Sequence, residues 1–178
     1  MRSLSAPITA FAIFLAPIAA HGSESLFAQT NKEIIQKEEQ KKKTEIDQLK
    51  EEAEKAEELF LWSQALEIRK KIVSLSKSTH GFFHQETAEA LNNLGLLYRN
   101  LGEYEKAESL FNQALEISQK VHGLDHQETT TALNNRGLVY LDLGEYKKAE
   151  PLFNQALEIL EKEYGIDHPL TATTLNNL

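Results

Sequence analysis

The chain has no cysteine among its 178 residues. Disulfides, thiol catalysis, Cys-ligated zinc and a lipid-anchored N-terminal Cys are therefore excluded. Basic charge is also short: 19 Lys and Arg face 27 Asp and Glu, a formal charge of −8. A nucleic-acid binder needs clustered Lys and Arg for phosphate contacts, so no nucleic-acid partner is expected. The one basic run, Lys41 to Lys43, stands among Glu38, Glu39 and Glu45 and reads as a solvated helix face. The sequence also lacks a Gly-rich phosphate loop and a Ser-His-Asp pattern with a nucleophile turn. Most carboxylates have Lys nearby, as in GEYEKAE and GEYKKAE, an arrangement of exposed helix faces. A non-catalytic protein without a cofactor is expected.

Turning to what is present, the N-terminus is distinctive. Arg2 is the only charge before His21, and an apolar centre runs from Ala10 to Ala16. Small residues follow, then an abrupt change to polar sequence. This is the three-part pattern of a secretory signal peptide, with cleavage expected after Ala20 or Ala28. The stretch is short for a membrane span and holds Pro7 and Pro17. Residues 1–20 are thus expected to be removed, leaving an exported mature chain, periplasmic or secreted, with no membrane association.

Self-comparison sets the fold. Residues 81–122 align with 123–164 at a shift of 42, and 28 of the 42 positions are identical. The shift extends backward more weakly, placing Trp62 where Tyr104 and Tyr146 stand and Ala65 where Ala107 and Ala149 stand. Forward, GIDHPLTATTLNNL opens another copy. The organisation expected is a signal peptide (1–20), a charged linker or helix extension (21–44), a degenerate first unit (45–80), two full units (81–122 and 123–164) and the first helix of an incomplete fourth (165–178).

Each unit carries two helical patterns. The first runs from about Gln85 to Leu101, with Leu91, Leu94, Gly95, Tyr98 and Leu101 at spacings of three and four. The second runs from about Tyr104 to Val121, with Ala107, Leu110, Phe111, Ala114, Leu115 and Ile117 on one face. LGEY punctuates the turn between them. Gly123 and Gly165 sit where a helix C-terminus favours glycine, and His168-Pro169 opens the next helix. Gly95 and Gly137 lie on the apolar face, where Gly costs about 1 kcal/mol relative to Ala. They are kept, on this reading, because a side chain would block a neighbouring helix. Two helices alone cannot bury their faces; stacked neighbours can.

The residues Leu91, Gly95, Tyr98, Ala107, Phe111 and Ala114, with their copies Leu133, Gly137, Tyr140, Ala149, Phe153 and Ala156, resemble the tetratricopeptide repeat. The LNN and GEYEKAE blocks resemble its 42-residue form, found in kinesin light chains and many bacterial proteins. The resemblance covers about Glu45 to Leu178. It implies an all-α, right-handed α-solenoid of stacked antiparallel helix pairs, a binding scaffold in most members. The first unit departs from the pattern: Phe60 replaces the turn glycine, and LKEEA from Leu49 replaces LNNLG. It reads as a degenerate cap, as terminal repeats usually are.

His80 and His84 are four apart, as are His122 and His126, a spacing that suits two metal ligands on a helical face. The pairs straddle Gly81 or Gly123, however, and Tyr164 replaces the first His in the next copy. The favoured reading makes His84, His126 and His168 cap residues at helix N-termini, beside Asp125 and Asp167, with no metal.

One further stripe lies beside the core stripe: Asn92, Leu96 and Arg99 at i, i+4 and i+7, repeated as Asn134, Leu138 and Leu141. The family resemblance places it in a concave groove lined by first helices, where Asn suits pairing with the backbone of an extended peptide. The other reading of the Asn pairs, stronger for Asn93 and Asn135, is hydrogen bonding between adjacent repeats. Arg136 stands where Leu94 stands in the preceding copy, so it must reach solvent or find an acid; contact with an acidic ligand at the groove edge is the functional alternative.

The function expected is a scaffold holding a peptide or protein along Asn92, Leu96, Arg99, Asn134, Arg136 and Leu138. Two alternatives stay open. One is the N-terminal part of a larger exported enzyme such as a caspase-like protease with a CHAT domain. The other is a module that assembles edge to edge, with self-association through the C-terminal edge that TTLNNL leaves uncovered.

Overall fold

The computed structural model describes the backbone of residues 21–178 and side chains from residue 29 onward. The expected signal peptide, residues 1–20, lies outside the described residues. Among these the regular elements are all helices: α1 (His21–Glu58), α2 (Trp62–His80), α3 (Gln85–Asn100), α4 (Tyr104–His122), α5 (Gln127–Asp142), α6 (Tyr146–Tyr164) and α7 (Pro169–Asn177). The stretch left between linker and helix extension is helical, within α1. Of the described residues, 21–40 belong to one unit, and its described side chains are all exposed. Residues 41–178 form the other. Among the described residues no helix is long and apolar enough to cross a membrane.

Within the second unit the helices pair antiparallel and stack as a solenoid. Each first helix packs against its own partner (α3 on α4, α5 on α6) and also against the second helix of the preceding repeat (α3 on α2, α5 on α4). This double packing corrects the single apolar stripe read from the sequence. Leu91 and Gly95 are buried as expected, but so are Ala88, Ala90 and Leu97, while Leu101 is exposed at the end of α3. Leu97 packs with Ala56 and Ala65 of the first repeat. A helix sandwiched between two others needs two apolar faces, and full burial of a Leu contributes about 1.5–3 kcal/mol.

The turns follow from the sequence. Gly123 has φ +94°, a conformation L side chains rarely adopt, and its N–H closes α4 on the carbonyl of Gln119. Three residues after the glycine, His126 adopts an extended conformation and starts α5. A threonine latch then closes each loop: the hydroxyls of Thr87, Thr129 and Thr171 donate to the carbonyls of Gly81, Gly123 and Gly165 at 2.8, 2.9 and 2.9 Å. All three threonines are buried. Their period of 42 is the only sign of them in the sequence.

The close approach inferred at Gly95 and Gly137 is present, and the partner is a phenyl ring. A Cβ on Gly95 would lie 2.6 Å from Phe111, and one on Gly137 would lie 2.6 Å from Phe153. Both rings are almost wholly buried, and each belongs to the partner helix of the same repeat.

Candidate functional site

The first helices α3 and α5 touch each other directly, whereas the second helices α4 and α6 make no comparable contact. The predicted stripe lies on this closer-packed layer. Leu96 and Leu138 are half-buried; Leu96 packs with Ala107, Phe111 and Val139, and Leu138 with Tyr140, Ala149 and Phe153. Their outer surfaces are what a ligand could touch.

Arg99 is engaged within the protein. Its guanidinium clasps Asp142 at the end of α5 through two bonds, Nε to Oδ2 at 2.6 Å and Nη2 to Oδ1 at 3.1 Å. A bidentate clasp fixes the guanidinium plane and balances its charge. Asp142 went unnoticed in the sequence. Its signal is an acid 43 residues after a base, one more than the repeat period, and Gln85 reaches Glu128 with the same offset. Both bonds join α3 to α5.

Asn134 bridges repeats: its Nδ2 donates to the hydroxyl of Thr174 on α7 at 2.8 Å. The inter-repeat bond that the sequence reading favoured for Asn135 is thus found on Asn134. The side-chain carbonyls of Asn92 and Asn134 are buried without a hydrogen-bond partner. Arg136 points to α4, where Nη2 lies 3.9 Å from Glu108 and the guanidinium sits 5.8 Å from the centre of the Tyr140 ring. The Tyr140 hydroxyl donates to the same Glu108 carboxylate. The structure therefore brings Asn92, Leu96, Arg99, Asn134 and Leu138 onto one layer and gives Arg136 an acid at the α4–α5 contact.

Five of the six histidines lie at the loops between repeats. The Nδ1 of His84 accepts the backbone N–H of Glu86 at 3.4 Å, and that of His168 accepts the N–H of Leu170 at 3.3 Å, as helix caps do. His126 holds the cap position without this bond. Each ring stacks on the residue four before it: His80–His84 at 4.7 Å, His122–His126 at 4.3 Å and Tyr164–His168 at 4.7 Å between centroids. The carboxylates of Glu86 and Glu128 contact Nδ1 of His84 and His126. The Glu86 carboxyl is held below its ordinary value. Burial, the largest influence, raises it, but its own backbone N–H and the charges of His84 and His80 outweigh that.

The sequence profile of the tetratricopeptide repeat matches residues 57–120, 86–162 and 128–178. The chain belongs to the tetratricopeptide repeat family. Among solved structures it is similar to BtubC (BKLC) from P. vanneervenii, with 23% identity and a TM-score of 0.65. That match covers 71% of this chain and 50% of the other. It is also similar to a putative kinesin light chain from Podosopora anserina with nearly identical TPR-like repeats, with 19% identity and a TM-score of 0.66. Here the coverage is 73% of this chain and 62% of that one. The chain thus spans half to about 60% of the length of these relatives. At such identities they show the fold, a kinesin light chain-like solenoid. No curated protein sequence matches the chain. Tetratricopeptide arrays generally mediate protein–protein interactions, and this chain carries that scaffold.

Proposed function

We propose that the protein is a non-catalytic scaffold that holds an extended peptide or protein segment along the α3–α5 layer. The observation that carries this reading is the direct contact of α3 with α5, without a matching contact of α4 with α6. Closer spacing of the first helices curves a solenoid toward them, so their outer stripe becomes its concave side. Asn92 with Leu96 and Asn134 with Leu138 then present the same amide–apolar pattern twice, at the repeat period. An extended chain meets such a repeated pattern with its backbone on the amides and its apolar side chains on the leucines. The Arg99–Asp142 clasp holds the two helices in register beneath it.

Selection from a random peptide display library tests this. Peptides with apolar residues should be recovered, and Asn92→Ala should weaken their binding while leaving stability nearly unchanged. Asn134→Ala should weaken binding more than Thr174→Val does, since both remove the Asn134–Thr174 bond and only the first removes the amide. Peptides that bind both Asn variants as well as the native chain would move the site elsewhere. The reading also includes export of the mature chain, on the strength of Arg2, the apolar 10–16 centre and Ala20. Protein recovered from its host should begin at His21 or Gln29; soluble cytoplasmic protein with an intact Met1 would contradict export.

A further inference from the structure

At the loop between α4 and α5, His122, His126 and Glu128 come together. Nε2 of His122 is buried without a hydrogen-bond partner, and Nδ1 of His126 and the Glu128 carboxylate, also buried, contact each other. The three side chains offer ligand atoms within 4.8 Å of one another. Forty-two residues earlier His80, His84 and Glu86 form the same grouping. The sequence alone shows histidine pairs. The third ligand, a glutamate two residues into the next helix, appears only when the chain turns at Gly123.

We propose that His122, His126 and Glu128 form a binding site for a divalent transition-metal ion of the zinc type, and that His80, His84 and Glu86 form a second, weaker one. A proton shared between His126 and Glu128 would satisfy that pair and leave Nε2 of His122 without a partner. A cation satisfies all three atoms. Two imidazoles and one carboxylate suit zinc, nickel or copper(II) better than magnesium or calcium, which favour all-oxygen shells. Water completes the coordination, since the side chains are half-exposed. The C-terminal end of the α4 dipole favours a cation, and the Glu128 carboxylate offsets the unfavourable N-terminus of α5.

The rings set the movement required. His122 and His126 stack at an interplanar angle of 13°, so their lone pairs run side by side. Bonds of about 2.1 Å to one ion need ligand atoms about 3.4 Å apart with converging lone pairs. Rotation of His122 about its Cβ–Cγ bond supplies the convergence, and that torsion is broad for histidine. The two copies differ at the second histidine. His84 Nδ1 already accepts a backbone N–H and must give it up, whereas His126 has no such bond, which makes the His122–His126–Glu128 site the tighter. The third copy is an internal control, with Tyr164 and Leu170 in place of the first His and the Glu.

The test is equilibrium dialysis of the untagged full chain against zinc, with metal content measured per chain. The native chain should take up two ions, the His122→Ala variant one and the His80→Ala/His122→Ala variant none, with His168 present throughout. Added zinc should raise the Tm of the native chain and not that of the double variant. Because these changes could loosen the loops, a gain of function is decisive: Tyr164→His with Leu170→Glu should raise the stoichiometry from two to three. Uptake below one ion in the native chain, or uptake unchanged in the double variant, would overturn the proposal, as would a third site that binds nothing in the folded gain-of-function variant.

Discussion

The first repeat and its two successors solve one packing problem in different ways. In the later repeats a phenyl ring packs closely against a glycine, Phe111 on Gly95 and Phe153 on Gly137. In the first repeat the corresponding positions hold Arg69 and Ala53. Ala53 is fully buried, so a Cβ is tolerated there once the ring is gone. Arg69 is itself only 6% exposed, and its Nε donates to Glu57 at 2.8 Å. The turns differ in parallel. Gly102 and Gly144 have φ +74° and +72°, and Phe60, in the same place, has φ +56°. The backbone path is kept although the residue that makes it easy is lost. A repeat thus constrains combinations of residues more than single ones: glycine is required only opposite phenylalanine, whereas the turn's positive φ is imposed by the helices on either side.

The sharpest way to break this comparison is to remove the ring. Phe111→Ala should cost about 3–5 kcal/mol, measured by denaturant unfolding, because a fully buried ring leaves a cavity. Gly95→Ala then gives an effect of changing sign. With Phe111 in place the added Cβ overpacks, at about 1–3 kcal/mol, and exceeds the helix-propensity gain of about 1 kcal/mol. In a Phe111→Ala background the same change should stabilise. Equal effects in both backgrounds would show that the ring does not select the glycine.

The ion pair of the first repeat ranks next. Glu57→Ala strands a buried guanidinium and should cost about 3 kcal/mol. The paired change Arg69→Met with Glu57→Leu should cost much less, since apolar groups of similar size replace both charges. A double change as damaging as Glu57→Ala alone would mean that the pair itself is what the site needs.

The turn gives a smaller effect of opposite sign. Phe60→Gly should raise stability by roughly 0.5–1 kcal/mol, as relief of positive-φ strain exceeds the added chain entropy of glycine. The Phe60 ring is 73% exposed and meets the edge of Trp62, so little packing is lost. A destabilised variant would assign the aromatic pair a larger role than the strain.

The smallest effect is on acid stability. Glu86 is held below its ordinary value of 4.5, whereas Thr44 stands one repeat period earlier. A depressed carboxyl contributes stability that is present above the unfolded value and lost as pH falls through the folded one. Glu86→Gln should therefore leave stability at pH 3 little changed and lower it slightly at pH 6. A larger loss at pH 3 than at pH 6 would reverse the sign.

What the sequence by itself determined is whatever recurs with period 42: the helix pairs, the turn glycines, the glycine contacts, the cap histidines and the family. A repeat displays its own constraints, because two near-identical copies differ chiefly where the fold is indifferent. What only the tertiary structure decided are contacts between copies. Arg99 meets Asp142 rather than a residue of its own repeat, Asn134 meets Thr174, and Arg136 meets Glu108. Leu97 is buried by the preceding repeat, off the stripe that periodicity within one helix would predict. The physical reason is that period and helical phase describe one helix at a time. The offset with which one repeat docks on the next comes from the curvature of the stack, and that curvature is the joint result of every ring, glycine and ion pair between the layers.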